Sequence, residues 1–184
     1  MINTWILFLA AVNSGSRNRL SMQALAGELE IAGFRNVQTY LQSGNAIIDT
    51  DESVESCVVS RSCDVLAGKF GLTVPIIVRS PKELRNAIDS NPFPAEALAD
   101  PGLTRIYFLP SKPPPDRLKA LAAKDFAPDR WALADRDLYV SYGQNAHKSR
   151  LTQTALARYL AMSGTARSWR TITAVDSIAR LHHA

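Results

Sequence analysis

The stretch NVQTYLQSGNAIID, residues 36–49, decides the fold prediction. Two short runs of strand-forming residues, 36–41 and 46–49, flank the turn Gln42-Ser-Gly-Asn45. Glycine and asparagine in such a turn favour a tight hairpin between antiparallel strands. A hairpin that lies between two helical segments is the centre of a βαββαβ unit, so the flanking segments test this interpretation.

The segments before the hairpin predict a strand and a helix. Residues 3–11 form a largely apolar run with polar residues before it, which indicates a buried strand. Ser21 is the predicted N-cap of a helix that ends near Gly33, where a positive φ is expected. Apolar residues at helical spacing mark one face of this helix: Met22, Leu25, Ala26 and Leu29.

The segments after the hairpin complete the unit. A second helix is expected to open at Asp51 or Ser53 and to end near Gly71, and residues 73–79 read as a fourth strand. The order βαββαβ is that of the ferredoxin-like plait, so the predicted fold class is α+β. Right-handed crossovers then place strand 1 beside strand 3 in antiparallel orientation.

The rest of the chain predicts a second subdomain. Residues 81–91 read as a helix that Asn91-Pro-Phe-Pro94 stops. We therefore predict a ferredoxin-like subdomain over residues 1–80, a helix and Pro-rich connector over 81–102 that is irregular after its helix, and a smaller α/β subdomain over 103–184.

That last subdomain is predicted to repeat the element types of the first without a detectable sequence repeat. Its strands are expected over 104–109, 130–134 and 137–142, with helices over 116–124 and 151–162. Residues 169–181 are predicted to be either a helix or a short strand followed by a helix.

Composition excludes some classes of protein. The 184 residues are 46% hydrophobic and 21% charged, which is typical of a globular chain. No apolar run approaches the roughly 20 residues that a membrane helix needs. The first basic residue, Arg17, follows the apolar run at the start, which is the reverse of a secretory signal. We therefore expect a cytoplasmic protein without a membrane partner.

The charge is uneven along the chain. The net charge is +4, but residues 141–184 carry six basic residues and one acidic residue, a net charge of +5. A basic C-terminal face is compatible with a phosphate, a nucleic acid or an acidic partner, and also with a solvated face that binds nothing.

Metal and catalytic motifs are absent from the sequence. Cys57 and Cys63 form no CxxC pair, and the three histidines show no zinc or Ser-His-Asp spacing. His182 and His183 are expected to form a frayed end. We predict no metal and no cofactor and name no catalytic residue, so whether the chain is an enzyme stays open.

The leading candidate site combines two loops at one end of the sheet. The loop after strand 1 offers hydrogen-bonding and basic groups ahead of a helix N-terminus, which favours anions. The topology brings this loop beside the hairpin turn, where Asn13, Arg17 or Asn18 is expected to reach Ser43–Asn45 and the glycines permit close approach. The candidate ligand-binding residues are Asn13, Ser14, Gly15, Arg17, Asn18, Ser43 and Asn45.

A second candidate patch pairs Arg167 with Trp169, because an arginine beside a tryptophan can stack on a base. Trp169 closing a small core under Arg167 is the structural alternative.

For the whole protein, three hypotheses remain: a site for a small phosphate- or carboxylate-bearing ligand, a structural or oligomerising module without a ligand, and nucleic-acid binding through the basic C-terminal face. The last is disfavoured, because the strand over 46–49 lacks the aromatics of an RNA-recognition sheet. The oligomeric state is not predicted.

The chain also resembles an uncharacterised bacterial family, the domain of unknown function 1697. The resemblance rests on Asn13, Gly15, Asn18-Arg-Leu20 and Met22, then Gly33-Phe34, Val37, Thr39-Tyr40 and Gln42–Asn45, then Pro75–Ser80, Asn91–Pro94, Leu138-Tyr139 and the set Thr165, Arg167, Trp169 and Thr171. It implies a ferredoxin-like N-terminal half and a second α/β half. It implies no activity.

The chain departs from that family at the loop. The family usually reads Arg-Gly-Ile-Asn-Val-Gly-Gly after strand 1, whereas this chain has Ala10, Ala11 and Val12 at the first three positions, and Ser14 and Ser16 flank one glycine. If the family arginine binds an anion, this member lacks that charge.

Overall fold

The computed structural model describes residues 1–14 and 18–182. Over these residues the chain is a mixed α+β protein with two four-stranded antiparallel sheets and seven α-helices. The strands are β1 Asn3–Leu9, β2 Arg35–Tyr40, β3 Asn45–Thr50, β4 Ile76–Arg79, β5 Thr104–Phe108, β6 Arg130–Ala134, β7 Asp137–Ser141 and β8 Thr165–Ser168. The helices are α1 Met22–Ile31, α2 Glu55–Phe70, α3 Pro81–Asp89, α4 Pro94–Ala99, α5 Pro115–Ala122, α6 Gln153–Leu160 and α7 Trp169–Leu181.

The chain divides into two compact units. One consists of Met1–Arg85 together with the chain from Ala174 onward, and the other is Asn86–Thr173. Both divisions fall inside helices, the first within α3 and the second within α7. The end of the last helix is thus grouped with the first sheet.

In the first unit the strand order is β2-β3-β1-β4. β1 lies between β3 and β4, with Phe8 opposite Asn45 and Leu9 opposite Ile76, so the predicted antiparallel pairing of strands 1 and 3 is confirmed. Because strand side chains alternate between faces, one face presents apolar residues to α1 and α2. The core on that face includes Leu7, Leu9, Leu25, Leu29, Ala46, Ile48, Val58, Leu66 and Val78.

The helix ends follow the predicted chemistry with one exception. The Ser21 hydroxyl accepts a hydrogen bond from the Ala24 N–H, and Gly33 has φ +91°, as predicted. α2 ends at Gly71, whose φ is +61°. The predicted cap of α2 at Asp51 or Ser53 is wrong, because the helix begins after Val54 and the Glu52 side chain accepts from the Val54 N–H.

In the second unit the strand order is β6-β7-β5-β8, with all neighbours antiparallel. The prediction that the connector is irregular after Asn91 is wrong in part, because the helix α4 forms at Pro94–Ala99. Proline fits the first turn of a helix, where its missing N–H has no partner to lose. Of the two alternatives for residues 169–181, the single helix is confirmed, since α7 covers Trp169–Leu181. The strand β8 at Thr165–Ser168 lies before that range and was not predicted.

Candidate functional site

The loop after β1 and the β2–β3 turn meet at one end of the first sheet. The Leu9 N–H donates to the Gly44 carbonyl at 2.8 Å, so the last residue of β1 is bonded to the turn. Gly44 has φ +82°, and a Cβ atom at this position would lie 2.4 Å from Val12 Cγ2. Only glycine allows this approach without displacement of a neighbour.

Asn13 ties the loop to the turn. Its Nδ2 donates to the carbonyls of Leu20 and Gln42, both at 2.8 Å, and its Oδ1 accepts from the Leu20 N–H at 2.8 Å. The prediction named residues 43–45 as the partners of Asn13, Arg17 or Asn18, whereas the bond from Asn13 goes to Gln42, and Arg17 lies outside the described residues. One amide side chain thus connects three parts of the site.

Asn18 closes the loop from its other side. Its Nδ2 donates to the Ala11 carbonyl at 3.0 Å, and its own carbonyl accepts from the Asn13 N–H at 3.0 Å. Ala11, Asn13 and Asn18 all have φ between 50° and 55°, a region that asparagine tolerates better than most residues. Both asparagines therefore hold the loop in shape.

The turn residues divide into buried and exposed groups. Asn45 is fully buried, and its Nδ2 donates to the Tyr40 carbonyl at 2.7 Å and to the Ser43 hydroxyl at 3.1 Å. Ser14 and Ser43 are exposed on the loop and on the turn. Gly15 and Arg17, both predicted members of this site, lie outside the described residues.

The N-terminus of α1 follows the loop. Its first turn contains no acidic residue, although acidic side chains are common there because the helix dipole favours them. Arg19, two residues before the Ser21 cap, is exposed. This end of the helix therefore has positive character that no carboxylate of its own first turn neutralises.

Arg167 and Trp169 lie in the second unit and differ in exposure. Arg167 is 6% exposed, and its Nη1 donates to the Thr165 hydroxyl at 2.6 Å and to the Ala166 carbonyl at 2.9 Å. Burial lowers the pKa of Arg167 to about 10. Trp169 is half-buried at the start of α7 and lines a groove with Arg170, Leu98 and Pro101. Arg167 is thus closed to a ligand that approaches from solvent.

A polar cluster in the first unit was missed by sequence reasoning. Asp49 accepts hydrogen bonds from the Thr4 hydroxyl and, at 2.8 Å, from Asn36 Nδ2. His182 Nδ1 lies 3.6 Å from Asp49 Oδ1, and its side chain is only 1% exposed, so the predicted frayed end is wrong for His182. The position of polar Thr4 and Asp49 within two predicted strands was the available signal, but the contribution of His182 is visible only in three dimensions.

The comparisons with known proteins place the chain in a family. The family described as a protein of unknown function, DUF1697, matches residues 2–139. The chain belongs to this family. The suspected resemblance is confirmed, and no activity is attached to the family description.

A solved structure shares the fold. The chain is similar to the conserved bacterial protein SP0830 from Streptococcus pneumoniae, with a TM-score of 0.79 and 16% sequence identity over 97% of this chain and 99% of that chain. At this identity the likeness concerns the fold alone. No curated protein matches the chain.

Within residues 1–14 and 18–182, no helix combines the length and hydrophobicity needed to span a membrane. Over the same ranges, no group of three or more histidine, cysteine, aspartate or glutamate side chains is placed to hold a metal ion.

Proposed function

We propose that the chain is built from two ferredoxin-like plaits and binds a small anionic ligand at the loop end of the first. The plait assignment is supported by the strand orders β2-β3-β1-β4 and β6-β7-β5-β8, which are the same order in the two units. In domain terms we propose a first subdomain over residues 1–80, a connector over 81–102 and a second subdomain over 103–184, with the end of α7 grouped with the first sheet.

The observation that carries the ligand proposal is the N-terminus of α1, whose own first turn holds no acidic residue. A helix of ten residues presents free N–H groups and a partial positive charge at this end, and its first turn lacks an acidic residue. Exposed Arg19 adds a full charge, and the exposed hydroxyls of Ser14 and Ser43 offer hydrogen bonds. A phosphate or carboxylate group is the chemistry that such donors recognise.

The three asparagines act as a frame in this proposal. The amide groups of Asn13, Asn18 and Asn45 are already bonded to backbone or hydroxyl oxygens of the chain, so they shape the site and do not face the ligand. Gly15 and Arg17 stay in the proposed site on the grounds of sequence alone, with Arg17 as a second positive charge. With Ala10 and Ala11 in place of the family Arg-Gly, Arg17 and Arg19 are the basic residues of this loop.

The test is anion-dependent thermal stabilisation. Phosphate, sulfate, acetate and adenosine monophosphate are titrated against the wild type, the double variant Arg17→Ala/Arg19→Ala and the control Arg117→Ala, whose arginine is exposed in the other unit. We expect at least one anion to raise the melting temperature of wild type and control in a saturable manner, and the double variant to lose that response. Exposed charges contribute little to stability, so all three should fold alike.

If no anion stabilises the wild type, the ligand proposal fails. The asparagine hydrogen bonds then stand as a structural staple between two loops, which is the structural or oligomerising alternative. If all three proteins respond equally, the anion binds elsewhere on a basic protein.

Two observations weaken the nucleic-acid alternative. Arg167 is buried, and the exposed guanidinium of Arg180 is bonded to Asp176 at 2.8 Å, so these two arginines of the C-terminal segment are committed. On the first sheet, Phe8 is fully buried and thus not available to stack on a base.

We also propose a cytoplasmic location, since Cys57 and Cys63 are free thiols and a reducing compartment keeps thiols in that form.

A further inference from the structure

A polar cavity lies at the opposite end of α1, beside the edge strand β2. Its volume is about 320 Å³, which suits a molecule of a few heavy atoms. It is entirely within the first unit. The lining residues are Glu30, Asn36, Val37, Gln38, Leu181 and His182.

His182 is the unusual member of the lining. Its side chain is 1% exposed, and neither ring nitrogen has a hydrogen-bond partner among the described residues. The approach to Asp49, at 3.6 Å, is too long for a hydrogen bond. Buried polar groups in native proteins almost always have a partner, so the imidazole leaves hydrogen-bonding capacity for a ligand in the cavity.

Asp49 is not available to supply that partner. Thr4 and Asn36 donate to its two carboxylate oxygens. Burial raises the pKa of Asp49, but these hydrogen bonds and the neighbouring His182 outweigh it, and the pKa stays below its ordinary value. Asp49 is therefore a fixed negative charge behind the cavity. The side-chain N–H₂ group of Asn36 donates to Asp49, so the side-chain carbonyl oxygen of Asn36 is the acceptor that remains for a ligand.

The charges around the cavity favour a cation. Glu30 lies in the last turn of α1, which contains no basic residue, and a helix C-terminus carries a partial negative charge. The nearby cations are engaged elsewhere: Arg35 pairs with Asp51 at 2.7 Å, and Arg61 donates to the Ala32 carbonyl and covers the Phe34 ring. Neither of these arginines lines the cavity.

We propose that this cavity binds a small organic cation, a primary ammonium or guanidinium group on a short alkyl chain. The charged head donates hydrogen bonds to the Glu30 carboxylate and to the Asn36 and Gln38 side-chain carbonyls, and it lies beside the ring of His182. The alkyl chain lies against Val37 and Leu181. This inference does not depend on the anion site, which is at the other end of the helix.

The test compares three probes of equal length by calorimetric titration at neutral pH: butylamine, 1-butanol and butanoate. Butylamine alone among them is a cation, so it is expected to bind, while butanol and butanoate bind at least about tenfold more weakly. In Glu30→Gln, loss of one charged hydrogen bond is expected to weaken butylamine binding by about tenfold or more. Glu30 is exposed, so this variant should fold as the wild type does.

Glu28→Gln is the matched control, since Glu28 lies on the same helix but pairs with Lys69 at 3.2 Å and does not line the cavity. It should keep butylamine binding within about twofold. His182→Phe, which keeps an apolar contact but removes both ring nitrogens, should weaken binding without abolishing it. The proposal is overturned if the wild type does not bind butylamine, if butanol binds equally well, or if Glu28→Gln and Glu30→Gln behave alike. A crystal structure of the protein soaked in butylamine that shows only water on His182 would also overturn it.

Discussion

Replacement of Gly44 by alanine tests the packing that brings the loop and turn together. Gly44 is buried with φ +82°, and an added Cβ would lie 2.4 Å from Val12 Cγ2 and 2.8 Å from Leu9 Cβ. Both neighbours belong to the buried core, Leu9 at 1% and Val12 at 5% exposed, so neither can simply move into solvent.

The magnitude has two parts. An L-residue at positive φ costs roughly 1 kcal/mol or more relative to glycine. Forcing a methyl group into a filled core costs typically 1–3 kcal/mol in addition. Gly44→Ala should therefore reduce the free energy of unfolding by about 3 kcal/mol, which for a chain of this length lowers the melting temperature by roughly 6–12 °C.

The matched control is Gly71→Ala. Gly71 also has a positive φ, +61°, but a Cβ there would have no atom within 4 Å. That variant should lose only the conformational part, about 1 kcal/mol, or roughly 2–4 °C. Thermal and urea unfolding of the two variants beside the wild type measure the difference. Equal losses in the two variants would refute the claim that the loop and turn are in close contact at Gly44.

Two further outcomes are expected. Asn13→Asp keeps an acceptor for the Leu20 N–H but removes the donor to the Gln42 and Leu20 carbonyls, so unfolding by urea should show a loss of about 1–3 kcal/mol, and a loss near zero would contradict the role of Asn13 as a tie. Asp49 has a lowered pKa in the folded state, so its carboxylate stabilises the protein above the ordinary aspartate pKa of about 3.9 and loses that effect as the pH falls through the folded value. The stability advantage of wild type over Asp49→Asn should therefore shrink between about pH 5 and pH 3, and an advantage that grows on acidification would show that the sign is wrong.

Much of the first unit could be predicted because its signals are local. The cap at Ser21 and the positive φ of Gly33 are set by the chemistry of single residues, and the structure confirms both. The pairing of strands 1 and 3 follows from element order and handedness, and it too is confirmed. The meeting of Asn13 with the hairpin turn is a consequence of that pairing.

The features that sequence reasoning missed depend on distant partners. Nothing near His182 in the sequence indicates that its side chain is buried beside Asp49, 133 positions earlier in the chain. The N-cap of α2 is Val54, without a side-chain cap hydrogen bond, so neither Asp51 nor Ser53 supplies the polar cap that the sequence suggested. α4 was missed because Pro92 and Pro94 were interpreted as the end of a helix, although Pro94 is the first residue of α4.

The two sheets also share a local pattern at the strand that ends each of them. Each sheet ends in a strand with a buried arginine, Arg79 in β4 and Arg167 in β8, and each faces an isoleucine of the central strand, Ile6 or Ile106. In both strands the arginine Nη1 donates to the carbonyl of the preceding residue at 2.9 Å.

The residue after each arginine is a serine that opens the next helix. The Ser80 hydroxyl accepts from the Glu83 N–H at 3.2 Å at the start of α3, and the Ser168 hydroxyl accepts from the Thr171 N–H at 3.3 Å at the start of α7. The two halves therefore share the pair Arg-Ser at this junction, and they also share the strand order. A buried arginine is costly unless its donors are satisfied, and in both sheets the same backbone carbonyl, that of the preceding residue, takes one of them. The short length of the pattern explains why similar element order was visible in the sequence while this pair was not.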